Sequence, residues 1–127
     1  MRAYARETAF CMVYRQLMAE QQQDFSMFDE DKLTEGDKQF ASQLAGFVAK
    51  NKEEIDQTIA KFSRGFRYDR LCKTDLAVLE TAIAEIMSCD TPFPVVINEA
   101  VGFAKKYSTP KSASFVNGIL ASYVREK

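Results

Sequence analysis

Apolar residues recur at intervals of three and four in almost every segment of this chain, and nowhere does the strict alternation of a half-buried strand persist. That periodicity restricts the fold to helices packed on helices. Phe10, Tyr14 and Leu17 share one stripe of a helix expected from about Ala3 to Glu20. Thr34 and Asp37 resemble a capping box, with Asp in place of Glu, opening a helix that buries Phe40, Leu44, Phe47 and Val48. A break near Asn51 leads to a helix carrying Ile55, Ile59 and Phe62, closed by Ser63-Arg64-Gly65. Leu76, Leu79, Ile83 and Ile86 form the buried seam of a helix starting at Lys73 or Thr74, and Asp90-Thr91-Pro92 makes a turn. Val96, Ile97, Ala100, Val101 and Ala104 line the next helix, with Pro94 in its first turn and Thr109-Pro110 ending it. Phe115, Val116, Ile119, Leu120 and Tyr123 line the last, which is expected to begin near Ser112. Gln21 to Leu33 is acidic and aperiodic, so it reads as a connecting loop. The expected fold is all-α: a compact bundle of about six or seven helices in one domain, divided into packed sub-bundles at about 1–64 and 65–127.

The 127 residues suffice for one core without staples. Cys11, Cys72 and Cys89 are odd in number and widely spaced, so neither a disulfide framework nor a zinc site is indicated. No stretch of about 18 consecutive apolar residues occurs, and a soluble, cytoplasmic protein with no membrane partner is expected. Histidine is absent, which removes the commonest general base and metal ligand. No glycine-rich phosphate loop or calcium loop is present, and no cysteine has an obvious base, so neither enzymatic activity nor a cofactor is expected.

Charge is sorted along the chain although the formal net charge is only -1. Lys61, Arg64, Arg67, Arg70 and Lys73 form a basic run. The stretch from Thr74 to Ala104 carries Asp75, Glu80, Glu85, Asp90 and Glu99 with no lysine or arginine, and Lys105, Lys106, Lys111, Arg125 and Lys127 follow. If the two ends of the chain meet, Arg2, Arg6 and the late lysines share a basic face suited to a polyanion, while the acids between them face a basic protein. Asn117 and Gly118 stand in the middle of the last helix, where Gly costs about 1 kcal/mol relative to Ala. The expected compensation is a close helix approach over Gly118, with Asn117 satisfying the freed backbone groups. Asn98 and Glu99 are expected to tie neighbouring helices through buried hydrogen bonds.

Several of these stretches resemble one family. Ile97-Asn98-Glu99-Ala100, leading to Ala104-Lys105 and then Phe115-Val116-Asn117-Gly118-Ile119-Leu120, is similar to the paired INEA…AK and FVNG(V/I)L motifs of the NusB transcription antitermination proteins. Arg2-Ala3, Ala5-Arg6-Glu7 and Tyr14 resemble that family's opening, and Asp69-Arg70-Leu71 through Asp75-Leu76-Ala77-Val78-Leu79 to Glu85 resembles its middle segment. The resemblance is strong from about Thr91 to Leu120, moderate over the first helix and Phe66 to Glu85, and weak elsewhere. It implies a factor that binds boxA-type single-stranded RNA together with the small basic ribosomal protein NusE, then joins NusA, NusG and RNA polymerase on ribosomal RNA operons. Under it Arg2, Arg6, Lys105, Lys106, Lys111, Ser112 and Phe115 would meet RNA, and Tyr14, Asp75 and Glu80 would meet NusE. A homodimer is left open.

Three departures distinguish the chain from the family pattern. The opening carries only Arg2 and Arg6 in place of a dense arginine run, Glu80 stands where arginine is usual, and Lys111 stands where an acid is common. Together they suggest positive charge moved from the N-terminus toward the last inter-helix loop. The alternative reading is a NusB-like helical module that binds proteins and has no RNA binding of its own, similar to the domain attached to some ribosomal RNA methyltransferases.

Overall fold

The computed structural model describes residues 2–18, 33–63 and 71–127, and every regular element among them is an α-helix. There are six: α1 (Arg2–Leu17), α2 (Glu35–Lys50), α3 (Lys52–Phe62), α4 (Lys73–Ser88), α5 (Phe93–Tyr107) and α6 (Pro110–Arg125). The expected acidic loop, apart from Leu33, and most of the basic connection containing Arg64, Arg67 and Arg70 lie outside the described residues. None of the described helices is long and apolar enough to cross a membrane.

Local chemistry sets the boundaries. The Thr34 hydroxyl accepts from the Asp37 N–H at 3.0 Å and Asp37 Oδ2 accepts from the Thr34 N–H at 3.2 Å, so the shorter carboxylate still closes a reciprocal capping box. Asn51 separates α2 from α3. Its backbone and side-chain N–H groups both donate to the Phe47 carbonyl, at 2.9 and 3.0 Å. The last helix begins two residues earlier than the sequence suggests. Pro110 does end α5, but it also occupies the first turn of α6, where its missing N–H costs nothing, and the Thr109 hydroxyl caps that turn by accepting from the Ser112 N–H at 3.0 Å.

Helix α4 is the centre of the molecule, packing against all five others. Leu76, Leu79, Ile83 and Ile86 are buried as the spacing predicts, and so is every other residue from Asp75 to Ile86. A helix covered on all sides has no outer face on which to place its charges. Its acids must therefore find partners inside. The ends of the chain also meet, through long side chains rather than close backbones. Phe10 on α1 stacks on Phe103 of α5, ring centres 5.7 Å apart, and lies 5.2 Å from Tyr107. Phe62 on α3 meets Tyr123 on α6 edge to face at 6.0 Å, closing the opposite side of the bundle.

Candidate nucleic-acid interface

The first turns of α4 and α6 converge on a cleft of about 280 Å³ whose walls include Leu71, Cys72, Asp75, Lys111, Ser112 and Phe115. Hydroxyls organise its floor. Ser108 Oγ donates to Ser112 Oγ at 2.9 Å, and Ser112 Oγ donates to Asp75 Oδ2 at 3.0 Å. Asp75 is 8% exposed, and its Oδ1 is buried with no hydrogen-bond partner among the described residues. Lys111 is exposed and makes no ion pair among them, while Phe115 is half-buried, one part of its ring packing on the core. The positive end of the α6 dipole adds to the Lys111 charge at this spot. Lys111, Ser112 and Phe115 are thus brought together, and Asp75, expected on a separate acidic surface, joins them.

Other expected cations go elsewhere. Arg6 is only 7% exposed: its Nε contacts both Glu85 carboxylate oxygens at 2.8 and 2.9 Å, and its Nη1 reaches Glu99 Oε1 at 3.4 Å. An arginine clasped in this way ties α1 to α4 and α5 and has no free edge for a phosphate. Lys106 is exposed but bonds Glu7 at 2.6 Å, with the Tyr107 hydroxyl donating to the same Glu7 oxygen. Burial pushes the Glu7 carboxyl up, yet these two donors and the Lys106 charge outweigh it and hold the group below its ordinary value. Lys105 is exposed; one turn beyond Val101 on the helix, it is on a different side of α5 from Lys106. Arg2 opens α1, and its side chain lies outside the described residues.

The acidic face expected around Asp75 and Glu80 does not exist. Glu80 is fully buried, its Oε2 bonded at 2.8 Å to Lys52 Nζ, which also bonds Asp56 Oδ2 at 3.0 Å. Burial first, and then the neighbouring Asp56 carboxyl, raise the Glu80 carboxyl to about 8 against the pull of Lys52. Tyr14 is half-buried, its ring packed on the core.

Comparison with known proteins decides the kinship. The model of the NusB family matches residues 3–125. The chain belongs to the NusB family. The transcription antitermination protein NusB of Acetivibrio thermocellus is 42% identical to it, over 99% of this chain and 90% of that one. T. maritima NusB superposes with a TM-score of 0.88 at 28% identity, covering 99% of this chain and 92% of that one. A crystal structure of the antitermination factors NusB and NusE in complex with double-stranded RNA matches with a TM-score of 0.86 at 25% identity, over 99% and 97% of the respective chains.

Of the NusB motif residues, Glu99 sits where sequence logic placed it, and Asn98, Asn117 and Gly118 do not. Glu99 makes an inter-helix bond, to Arg6, but Asn98 is exposed and makes no such tie among the described residues. Asn117 and Gly118 are exposed as well, and a Cβ added at Gly118 would meet nothing within 4 Å. Among the described residues no backbone packs over that glycine, so the expected close approach is absent there, and α6 runs through it as unbroken helix. Sequence reasoning also passed over Thr109 and Lys52. Thr109 was legible, since a threonine immediately before a proline is a helix-cap pattern. Lys52 was not, because its partner Glu80 is 28 residues away.

Proposed function

We propose that the chain is a transcription antitermination factor that binds boxA-type single-stranded RNA together with NusE, and that its RNA site is the cleft between α4 and α6. The observation that carries this reading is an exposed Lys111, making no ion pair among the described residues, beside a half-buried Phe115 at the positive end of a helix. Lys111 supplies a phosphate contact and the Phe115 ring a stacking surface, while the buried Asp75 carboxylate holds Ser112 in place behind them. Lys106, exposed on α5 and bonded to Glu7, is kept as a further phosphate contact, and Arg2 stays with the expected set, its side chain lying outside the described residues. Arg6 leaves the set because it is internal, and Asp75 and Glu80 leave the NusE surface for the same reason. Tyr14 stays as a NusE contact. The proposed setting is cytoplasmic, on ribosomal RNA operons with NusA, NusG and RNA polymerase.

The kinship with NusB proteins, including one solved with NusE and RNA, supports the assignment. The test is binding of a boxA-type oligonucleotide at several salt concentrations, with and without NusE. Lys111→Ala is expected to flatten the log-log salt dependence by about 0.7, the share of one phosphate contact to a single strand. Lys111→Glu should weaken binding further while leaving the melting temperature unchanged. Absent or salt-insensitive binding in the presence of NusE rejects the proposal and favours a module that binds proteins alone.

A further inference from the structure

Tyr107, the last residue of α5, leaves 42% of its surface exposed, yet it is firmly held. Its hydroxyl donates to Glu7 Oε2 on α1, and its ring rests against Phe10, centres 5.2 Å apart. Lys106 Nζ donates to the same Glu7 oxygen and stands 5.2 Å from the Tyr107 ring centre. Lysine ammonium groups also approach the rings of Phe62 and Tyr123, at 5.1 and 5.3 Å, but those two residues are buried. Among the described residues, Tyr107 is therefore the ring that combines a neighbouring cation with an open surface. That pairing is what a strand of unpaired bases on a phosphate backbone recognises.

We infer that Tyr107 stacks an unpaired base of the bound RNA, as a second aromatic platform beside the cleft between α4 and α6, with Lys106 at a phosphate of the same strand. This rests on the RNA reading above and adds a subsite to it. A ring pinned through its hydroxyl and against Phe10 has given up its rotamer freedom before RNA arrives, so stacking on it costs little further ordering. Lys106 uses one of its three N–H donors on Glu7 and keeps the others for phosphate oxygens. The subsite adjoins the cleft. Ser108, the next residue, donates to Ser112 in the cleft at 2.9 Å. Tyr107 is four residues from Lys111, a backbone reach of at most about 14 Å, so one strand can touch both. Stacking selects for a base that is unpaired and is tolerant of which base it is.

The test compares Tyr107→Phe with Tyr107→Leu in binding a boxA-type oligonucleotide in the presence of NusE. Both variants lose the bond to Glu7 and both keep an apolar side chain against Phe10, so what separates them is the ring face. Tyr107→Phe is expected to bind close to wild type, and Tyr107→Leu about five- to a hundredfold more weakly. An abasic nucleotide, moved along the oligonucleotide one position at a time, gives a readout that a merely structural role would not move. At one position the missing base should weaken wild type by a similar factor and weaken Tyr107→Leu no further. A 5-iodouridine at that position should crosslink to Tyr107 on irradiation, a measurement on the wild-type chain that needs no variant to fold. Three outcomes overturn the inference: Tyr107→Leu binding as tightly as Tyr107→Phe, a loss that adds in full to that of every abasic site, or crosslinking that never reaches Tyr107. If Lys111→Ala still weakens binding in those cases, the cleft stands as the RNA site without this subsite. If the wild-type chain with NusE binds no oligonucleotide, the RNA reading itself fails and the subsite falls with it.

Discussion

Helix α4 and the outer faces of α5 and α6 invert what their sequences suggest. The acids of α4, which read as a surface for a basic partner, are inside: Glu80 and Glu85 are essentially sealed and each is held by a cation from another helix. Asn98, Asn117 and Gly118, which read as packing devices, are outside. The difference teaches that in a small bundle one helix is surrounded, and its charges then become cross-links. Charge placed on a surrounded helix is costly unless paired, so arginines and lysines that would otherwise serve a ligand are drawn inward to meet it.

The largest expected effect follows from Arg6. Removing one member of a buried pair leaves the other charged and unsatisfied, so Arg6→Ala should destabilise the fold by about 3–5 kcal/mol in urea unfolding, stranding Glu85. If Arg6→Ala instead leaves unfolding unchanged and weakens only RNA binding, the contrast between inner and outer charges collapses, and Arg6 returns to the RNA surface.

Glu80 sharpens the same contrast through pH. Its ordinary value is 4.5, near that of the unfolded chain, and in the fold it is raised to about 8. Between those values the unfolded chain has released the proton while the folded chain keeps it, so stability declines as pH climbs from about 4.5 and levels off above about 8. The contribution should be roughly 1–3 kcal/mol, discounted because Lys52 is shared with Asp56. Glu80→Gln presents an uncharged donor in place of the protonated carboxyl and should flatten this part of the profile. Chemical denaturation at pH 5, 6.5 and 8 measures it, and parallel profiles for wild type and Glu80→Gln would show that Glu80 is ionised throughout.

Much of the fold was legible because it depends on neighbours in sequence. The three-and-four spacing located six helices, and the Thr34–Asp37 box and Asn51 break fell where local hydrogen-bond chemistry requires them. The candidate site was legible in part. Lys111, Ser112 and Phe115 occupy one turn and could hardly separate, but the Asp75 carboxylate that completes their cleft comes from 37 residues away. Arg6 was misplaced for the same reason, its partner Glu85 being 79 residues distant. Side-chain type gives the charge, whereas burial depends on which helix ends up in the middle. The spacing of α4 hinted at this, since apolar residues flank its seam on both sides.

The smallest expected effect lies on the outer face and tests the other half of the contrast. If Gly118 served packing, any side chain there would force α6 from its neighbour, and even Ala would loosen the bundle. The geometry requires the reverse: the position is exposed, helical and open, so an added methyl meets no atom within 4 Å. Its only consequence inside the fold is to remove the excess backbone freedom that glycine loses on becoming helical. Gly118→Ala should therefore stabilise the protein by about 0.5–1 kcal/mol, read as a raised midpoint in urea with an unchanged slope. Destabilisation by Gly118→Ala would mean that something of the fold does cover α6 at that turn, and that the motif glycine belongs with the inner residues after all.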